Sequence, residues 1–209
     1  VFSMDGDLAP LADLEAVAAE HGAWLMVDDA HGLGVLGQGG GGSEALQGRP
    51  GAAQVLVGTL GKAFGAFGAF VAGSEALVET LIQHARSYAY TTALPPPVAA
   101  AAAEGLRIAR EEPWRRGHLE ALVARFRRGA ARRGLPCLDS HTPIQGIPLG
   151  DNRRSLAVSE ALAERGYLAL PMRSPTVPRG GERLRVTLSA AHQESQVDGF
   201  LDALAECLE

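Results

Sequence analysis

The sequence has 209 residues, of which 46% are hydrophobic and 21% are charged, a composition typical of globular proteins. Its net charge of -5 at pH 7, without any block of basic residues, argues against a nucleic-acid-binding surface. No apolar stretch approaches the ~20 residues that a helix needs to cross a bilayer.

The first half of the chain alternates helical patterns with short apolar runs. Apolar residues at helical spacing predict a helix within residues 7–21. Apolar runs at residues 23–27, 54–58 and 67–72 predict strands that are buried on both faces. Ser74 predicts the cap of the next helix. This alternation predicts an α/β fold with a mostly parallel sheet that is covered on both sides.

Two further segments of the first half have other patterns. Residues 1–5 (VFSMD) are strand-like, and because a protein seldom begins inside a strand, we expect the sequence to be a fragment. The glycine run within residues 37–42 predicts a mobile loop.

The pattern changes after the prolines at positions 95–97. The second half combines helical spacing with short strands, and this mixture predicts a smaller α+β domain. The predicted helices cover residues 98–110, 119–133, 153–165 and 193–208, and the predicted strands lie near residues 144–149, 167–170 and 184–188. We therefore expect part of a large domain over residues 1–105 and a small domain over residues 106–209.

Two groups of side chains in the second half have simple interpretations. Five arginines are predicted to form the solvated face of a helix: Arg125, Arg127, Arg128, Arg132 and Arg133. The two cysteines, Cys137 and Cys207, fit no metal or redox spacing, and they are expected to be free thiols in a reducing compartment, the cytoplasm.

Reactive side chains follow two of the predicted strands, at the strand ends where open α/β sheets bind their ligands. One of these segments is TLGK at residues 59–62. Small residues around Lys62 let a ligand approach the backbone closely, and a lysine amine beside apolar walls can act as a nucleophile. Thr59 can offer its hydroxyl to an anionic group. An ordinary surface lysine is the alternative interpretation of Lys62.

The other segment with reactive side chains after a predicted strand is VDDAH at residues 27–31. Asp28 directly follows a buried run, so we expect its carboxylate to lie deep and to need a cationic partner, such as the protonated ring nitrogen of pyridoxal phosphate. His31 can reach the same pocket, or it can be an ordinary core or surface histidine. A metal site made of Asp28, Asp29 and His31 is a rival hypothesis. It is disfavoured because neighbouring residues of an extended segment point to opposite sides.

Arg185 lies in the predicted strand LRVTL at residues 184–188. Alternation places Arg183, Arg185 and Thr187 on one face of this strand. An arginine held on a strand can grip a carboxylate through two hydrogen bonds. An exposed strand arginine without a ligand is the alternative.

Three long motifs resemble the α-oxoamine synthase family over essentially the whole chain. They are VFSMDGDLAPL at 1–11, VDDAHGLGVLG at 27–37 and TLGKAFG at 59–65. The resemblance implies a fold-type I transferase that uses pyridoxal 5'-phosphate and joins an amino acid to an acyl-CoA thioester with loss of carbon dioxide. Segments 65–73 and 174–192 favour members that take L-alanine and pimeloyl-CoA or a pimeloyl-carrier protein. Members that use glycine or serine with other acyl-CoA thioesters remain the alternative.

The resemblance also implies a role for individual residues. Lys62 would hold the cofactor as a Schiff base, and Asp28 would pair with the pyridinium nitrogen. His31 and Ser3 would hydrogen-bond the cofactor on the side of its phenolic oxygen, and Thr59 would contact the phosphate. No metal is implied.

The remaining implied roles concern the substrates and a second subunit. Arg185 would take the substrate carboxylate, and Thr176 would line the acyl-substrate site. The family forms homodimers, in which Thr91 or Thr92 would reach the phosphate across the interface. Family members have about as much chain again before the position of Val1, including a phosphate cradle and a ring-stacking aromatic residue. We therefore expect an incomplete site, or an inactive fragment, with a sheet edge that is prone to aggregation.

Overall fold

The computed structural model describes residues 1–208. The chain forms two compact units, and each is made of two segments. Unit 1 contains Val1 and residues 9–113, and unit 2 contains residues 2–8 together with the chain from Trp114 onward. The boundary that the sequence predicts between residues 105 and 106 falls inside a helix, Pro96–Glu111.

Unit 1 has helices and short strands in alternation. Its strands are β1 (Met26–Asp28), β2 (Val55–Thr59) and β3 (Ala69–Gly73). Its helices are α1 (Leu11–Glu20), a 3-10 helix (Gln38–Gly40), α2 (Gly42–Leu46), α3 (Glu75–His84), α4 (Arg86–Ala89) and α5 (Pro96–Glu111). Ser74 caps α3 as predicted, because its hydroxyl accepts a hydrogen bond from the amide of Leu77 at 3.3 Å.

The sheet of unit 1 has the order β1-β2-β3. Strands β1 and β2 are parallel, whereas β3 is antiparallel to β2. The connection between β2 and β3 is a short turn, and parallel pairing would need a crossover of about a dozen residues or more. The three described strands therefore form a mixed sheet.

One face of this sheet is open, contrary to the prediction that its strands are buried on both faces. Met26 on β1 is 65% exposed, whereas its neighbour Val27 is 9% exposed. Strand β3 is exposed along its whole length. Within residues 1–208 the Met26 side chain therefore stays exposed, and of the apolar run at residues 23–27 only Val27 is buried.

The glycine run that predicts a loop forms defined structure instead. Residues 38–40 make the 3-10 helix, and α2 begins at Gly42. Both Gly40 and Gly42 are buried and have positive φ angles, of 77° and 85°. These glycines allow the backbone to turn where a side chain would be strained.

Unit 2 is an α+β structure. Its elements are α6 (Trp114–Arg132), β4 (Ile144–Pro148), α7 (Asn152–Glu164), β5 (Leu170–Met172), β6 (Arg183–Thr187) and α8 (Glu194–Leu208). The strands form an antiparallel sheet in the order β4-β6-β5. Its core is aliphatic around Phe126 and Phe200, whose rings stack with centroids 6.1 Å apart. Within residues 1–208, no helix of either unit is both long and apolar enough to cross a membrane.

Residues 2–8 form a turn within unit 2, not the strand that the sequence predicts at residues 1–5. The amide of Phe2 donates to the carbonyl of Asp7 at 3.0 Å, and the amide of Gly6 donates to the carbonyl of Phe2 at 2.8 Å. Gly6 has a φ of 78°, which closes the turn.

Five arginines are predicted to be solvated, but three of them form hydrogen bonds within unit 2. Arg125 donates to Asp198 at 2.9 Å, and Arg133 donates to Asp202 at 2.8 Å, so both join α6 to α8. Arg127 donates to the carbonyls of residues 138 and 140. Arg128 and Arg132 are exposed, as predicted. Helical spacing alone cannot show that an acidic partner helix lies beside an arginine-rich one.

The ion pair between Arg125 and Asp198 predicts an acid dependence of stability. The hydrogen bond from Arg125 holds the pKa of Asp198 below its usual range. A carboxylate whose pKa is lowered by folding stabilises the folded state at pH values above its pKa in the unfolded chain, which is about 4. This stabilisation is lost as the pH falls through the pKa of Asp198 in the folded protein. Between pH 5 and pH 2 (roughly), Asp198→Asn should lose less stability than the parent protein, by a small amount because solvent reaches both side chains of the pair and screens it. Urea unfolding at low salt measures this, and equal losses would contradict it.

Candidate functional site

The carboxyl ends of β1 and β2 bring two predicted site residues to one edge of the sheet. The strands are parallel, and Asp28 is paired in register with Val57. Paired residues of parallel strands lie on the same face, and alternation places Thr59 on that face as well. Asp28 and Thr59 therefore lie at the same edge and on the same, open face of the sheet.

Asp28 is exposed, and the prediction that its carboxylate lies deep is wrong. Asp29, the next residue, is the buried carboxylate, with 0% exposure. The alternation of β1 causes this difference, because Val27 and Asp29 face the covered side whereas Met26 and Asp28 face the open side. The carboxylate of Asp28 accepts a hydrogen bond from the amide of Ala30 at 3.0 Å, and this bond orients it.

Asp29 and Ser43 form a buried clasp between the end of β1 and the start of α2. Asp29 Oδ2 accepts from the amide of Ser43 at 2.6 Å, and its Oδ1 accepts from the Ser43 hydroxyl at 2.5 Å. The carbonyl of Asp29 also accepts from the amide of Gly32 at 3.0 Å. The clasp holds the turn at residues 29–32, where His31 is half-buried.

Lys62 lies in the turn between β2 and β3, three residues after Thr59. The Thr59 hydroxyl donates to the carbonyl of Gly68 at 3.0 Å and accepts from the amide of Gly61 at 3.1 Å, so it closes the base of this turn. The carbonyl of Lys62 accepts from the amide of Gly65 at 3.0 Å. The Lys62 side chain is exposed, and within residues 1–208 it forms no salt bridge.

Lys62 is also unique in the chain by its residue type. Lys62 is the only lysine of the chain, among 19 Lys and Arg residues in all. Basic positions elsewhere in the chain are arginine, so the single side-chain primary amine stands at the edge of the sheet that also carries Asp28. An amine can act as a nucleophile, and an arginine cannot replace it in that role.

In unit 2, Arg185 contacts Ser3. The Arg185 Nε donates to the Ser3 carbonyl at 2.6 Å, and its NH1 donates to the Thr187 hydroxyl at 3.1 Å. Arg183, Arg185 and Thr187 share one face of β6, as predicted, because Leu184 and Val186 between them are buried. Arg185 is half-buried, and burial lowers the pKa of its guanidinium.

The other predicted site residues are exposed. Thr176 lies in the loop between β5 and β6. Thr91 and Thr92 follow α4, and the Thr91 hydroxyl donates to the carbonyl of Ser87 at 2.6 Å. Within the described residues, no three His, Cys, Asp or Glu side chains are placed to hold a metal ion together.

The groups at the sheet edge of unit 1 fit pyridoxal phosphate in their chemistry. Asp28 offers a carboxylate to a protonated ring nitrogen, and Lys62 offers a primary amine to an aldehyde. The Thr59 hydroxyl donates to the Gly68 carbonyl, so it would have to exchange this acceptor to donate to a phosphate. The open face that carries Asp28 and Thr59 is apolar at Met26 and Val71, which suits a flat ring.

Comparison with known proteins identifies the family. The chain matches the family of class I and II aminotransferases over residues 1–204. It is 56% identical over 209 residues to an 8-amino-7-oxononanoate synthase of Cellvibrio japonicus, and 60% identical over 208 residues to one of Ectopseudomonas mendocina. These matches cover 100% and 99% of this chain but 52% and 54% of the relatives. The chain thus spans about half the length of the curated relatives it matches.

Solved structures give the same fold. A serine palmitoyltransferase from S. paucimobilis, with bound PLP–myriocin aldimine, superposes with a TM-score of 0.94 at 30% identity. It is matched over 99% of this chain and 52% of its own. An 8-amino-7-oxononanoate synthase from Francisella tularensis superposes with a TM-score of 0.86 at 31% identity, over 99% of this chain and 60% of its own. The predicted fold class, part of a fold-type I transferase, is confirmed.

Proposed function

Because the chain belongs to the family of class I and II aminotransferases, we propose that it is part of a pyridoxal-phosphate-dependent acyltransferase. Its reaction would be the condensation of L-alanine with pimeloyl-CoA, or with a pimeloyl-carrier protein, with loss of carbon dioxide. The observation that carries the proposal is that Asp28 and Thr59 share one face at the carboxyl edge of the sheet, and that Lys62 follows Thr59 by three residues in the adjoining turn. The names of the curated relatives, at 56% to 60% identity, support 8-amino-7-oxononanoate as the product.

Residues of unit 1 would hold the cofactor. Lys62 would attach it covalently through Nζ, and Asp28 would face its ring nitrogen. Thr59 would contact its phosphate, and His31 would hydrogen-bond its phenolic oxygen. The same role is proposed for Ser3, whose carbonyl, and not its hydroxyl, accepts the hydrogen bond from Arg185.

The chain's own residues would then carry the proton and the substrate. When bound, pyridoxal phosphate supplies an electron sink for a carbanion at the amino-acid Cα. Once the amino-acid substrate has displaced it from the cofactor, the amine of Lys62 would be free to remove the Cα proton as a general base, and its side chain forms no salt bridge within residues 1–208. Arg185 would bind the substrate carboxylate, and Thr176 would line the acyl site.

Two further proposals concern assembly and location. We propose a homodimer, as the resemblance implies, in which Thr91 or Thr92 meets the phosphate of the cofactor in the partner subunit. Both hydroxyls are exposed in this chain. A cytoplasmic location is in keeping with the free thiols of Cys137 and Cys207.

Another acyl transfer of the same type is the second candidate, supported by the TM-score of 0.94 to serine palmitoyltransferase. Release of CoA distinguishes the candidates. L-Alanine with pimeloyl-CoA should give the fastest release, and glycine with acetyl-CoA or serine with palmitoyl-CoA should be slower. Faster release with either of these pairs would replace the proposed substrates, and no release with any pair would favour an inactive fragment.

Asp28→Asn is expected to lower turnover by roughly 10²-fold, because an amide of the same shape carries no charge to stabilise a protonated ring nitrogen. The measurement is kcat together with the affinity for pyridoxal phosphate. Asp13→Asn is a matched control, since Asp13 is exposed on α1 and lies in no predicted site. Parent-like turnover of Asp28→Asn would rule out the role proposed for Asp28.

A further inference from the structure

The guanidinium of Arg185 is fixed at two of its three nitrogen atoms. Its Nε donates to the Ser3 carbonyl at 2.6 Å, and its NH1 donates to the Thr187 hydroxyl at 3.1 Å. No carboxylate within residues 1–208 forms a salt bridge with it. A planar guanidinium that is bonded at two points has one orientation, so the direction of its remaining N–H groups is set.

The Ser3 carbonyl is itself anchored by the turn at residues 2–7. Arg183 lies two residues before Arg185 on the same face of β6 and forms a salt bridge with Asp5. The side chain of Arg183 is 12% exposed, so this ion pair is shielded from water on the arginine side. Two arginines of one strand face thus bind two residues of the same turn.

A buried polar network holds the other end of the turn. The carbonyl of Gly6 accepts from the Ser140 hydroxyl at 2.9 Å and from the Thr142 hydroxyl at 3.0 Å. A Cβ on Gly6 would lie 2.2 Å from the carbonyl oxygen of Ile144, so the turn packs tightly against β4. The acceptor that Arg185 uses therefore belongs to a rigid part of unit 2.

We propose that Thr187 is a positioning residue which, with the Ser3 carbonyl, directs the NH1–NH2 edge of Arg185 toward a ligand carboxylate. The inference rests on the proposed function, in which Arg185 binds the amino-acid substrate. A carboxylate that approached Nε and NH2 would compete with the Ser3 carbonyl for the Nε–H group. A carboxylate that approached the NH1–NH2 edge could instead accept two hydrogen bonds as a bidentate pair. The site thus selects a carboxylate that approaches end-on.

Thr187→Val and Thr187→Ser test this role in the protein loaded with pyridoxal phosphate. Valine suits a strand and removes only the hydroxyl, whereas serine keeps it. For Thr187→Val, the KM for L-alanine and its dissociation constant from absorbance titration should rise about three- to tenfold, the effect of one orienting hydrogen bond. The kcat and the KM for pimeloyl-CoA should change less than twofold, and Thr187→Ser should match the parent.

Thr80→Val is the matched control, because the Thr80 hydroxyl donates to a carbonyl within α3 and its loss should change neither constant. An unchanged KM for L-alanine in Thr187→Val would overturn the inference, and so would equal rises in the KM values for L-alanine and pimeloyl-CoA. A measurement without cofactor separates the inference from the proposed function. By NMR, the Nε–H of Arg185 should exchange with water at least tenfold more slowly than that of exposed Arg128. Equal exchange rates of the Nε–H groups of Arg185 and Arg128 would overturn the inference. If the parent protein neither binds nor converts L-alanine, only the proposed function is overturned.

Discussion

Replacement of Lys62 by alanine is expected to abolish covalent attachment of pyridoxal phosphate and to lower turnover by about 10³-fold or more. The reason is chemical, because Lys62 is the only side-chain primary amine of the chain. It follows Thr59, whose hydroxyl closes the turn at both Gly61 and Gly68. No other side chain of these 209 residues could replace it in forming a Schiff base with an aldehyde.

Borohydride reduction followed by tryptic mapping measures the attachment. In the parent, the label should lie in a peptide that runs through position 62 without cleavage there, since trypsin does not cut at a modified lysine. Lys62→Arg is the charge-matched control, because arginine keeps the positive charge but does not form the bond. A reduced label on any other residue of the chain, or parent-like labelling of Lys62→Arg, would end the proposal for Lys62.

Gly42→Ala is expected to destabilise unit 1 by about 2–5 kcal/mol. A Cβ at this position would lie 1.9 Å from Asp29 Oδ2, the atom that accepts the amide hydrogen of Ser43. Moving the carboxylate breaks the buried clasp, and overpacking of this kind costs about 1–3 kcal/mol. The φ of 85° adds about 1–2 kcal/mol for any residue with a side chain.

Gly39→Ala is the matched control within the same glycine run. Gly39 also has a positive φ, of 65°, but a Cβ there would meet nothing within 4 Å. It should therefore show only the backbone cost of about 1–2 kcal/mol. Hydrogen exchange of the amides of β1 and α2 compares the two variants locally. If Gly42→Ala loses no more protection than Gly39→Ala, the clasp does not limit the stability of this region.

Much of the fold follows from local patterns in the sequence. Helical spacing locates α5, α6, α7 and α8 to within about five residues at each end, because their apolar residues recur at the helical period. Ser74 marks the start of α3 correctly. The resemblance of the three long motifs to pyridoxal-phosphate transferases is also confirmed by the relatives.

The features that the sequence does not predict depend on partners that are distant along the chain. An apolar run such as residues 23–27 predicts a strand, but the exposure of Met26 depends on what covers each face. The aspartate doublet contains one buried and one exposed carboxylate, and only the register of β1 decides that Asp29 is the buried one. The ion pair of Arg125 with Asp198 spans 73 positions, which no local pattern can reveal.

Among the site residues, too, local sequence patterns identify some, whereas others are found only through their contacts in the folded chain. Motifs identify Lys62, Asp28 and Arg185 as candidates, because each has a chemistry that suits the family. Neither Ser43 nor Thr187 belongs to any reactive pattern, so their contacts appear only once the chain is folded. The roles proposed for the candidates stay predictions until the variants are measured.

Because unit 2 takes residues 2–8 from the start of the chain, it is discontinuous in sequence. A segment beginning at Trp114 would lack the acceptors that Ser140, Thr142 and Arg185 use in that turn. Any dissection of the protein into its two halves must carry this heptapeptide with the second half. During biosynthesis the heptapeptide emerges from the ribosome more than a hundred residues before its binding surface, so the architecture of unit 2 can be completed only late in translation.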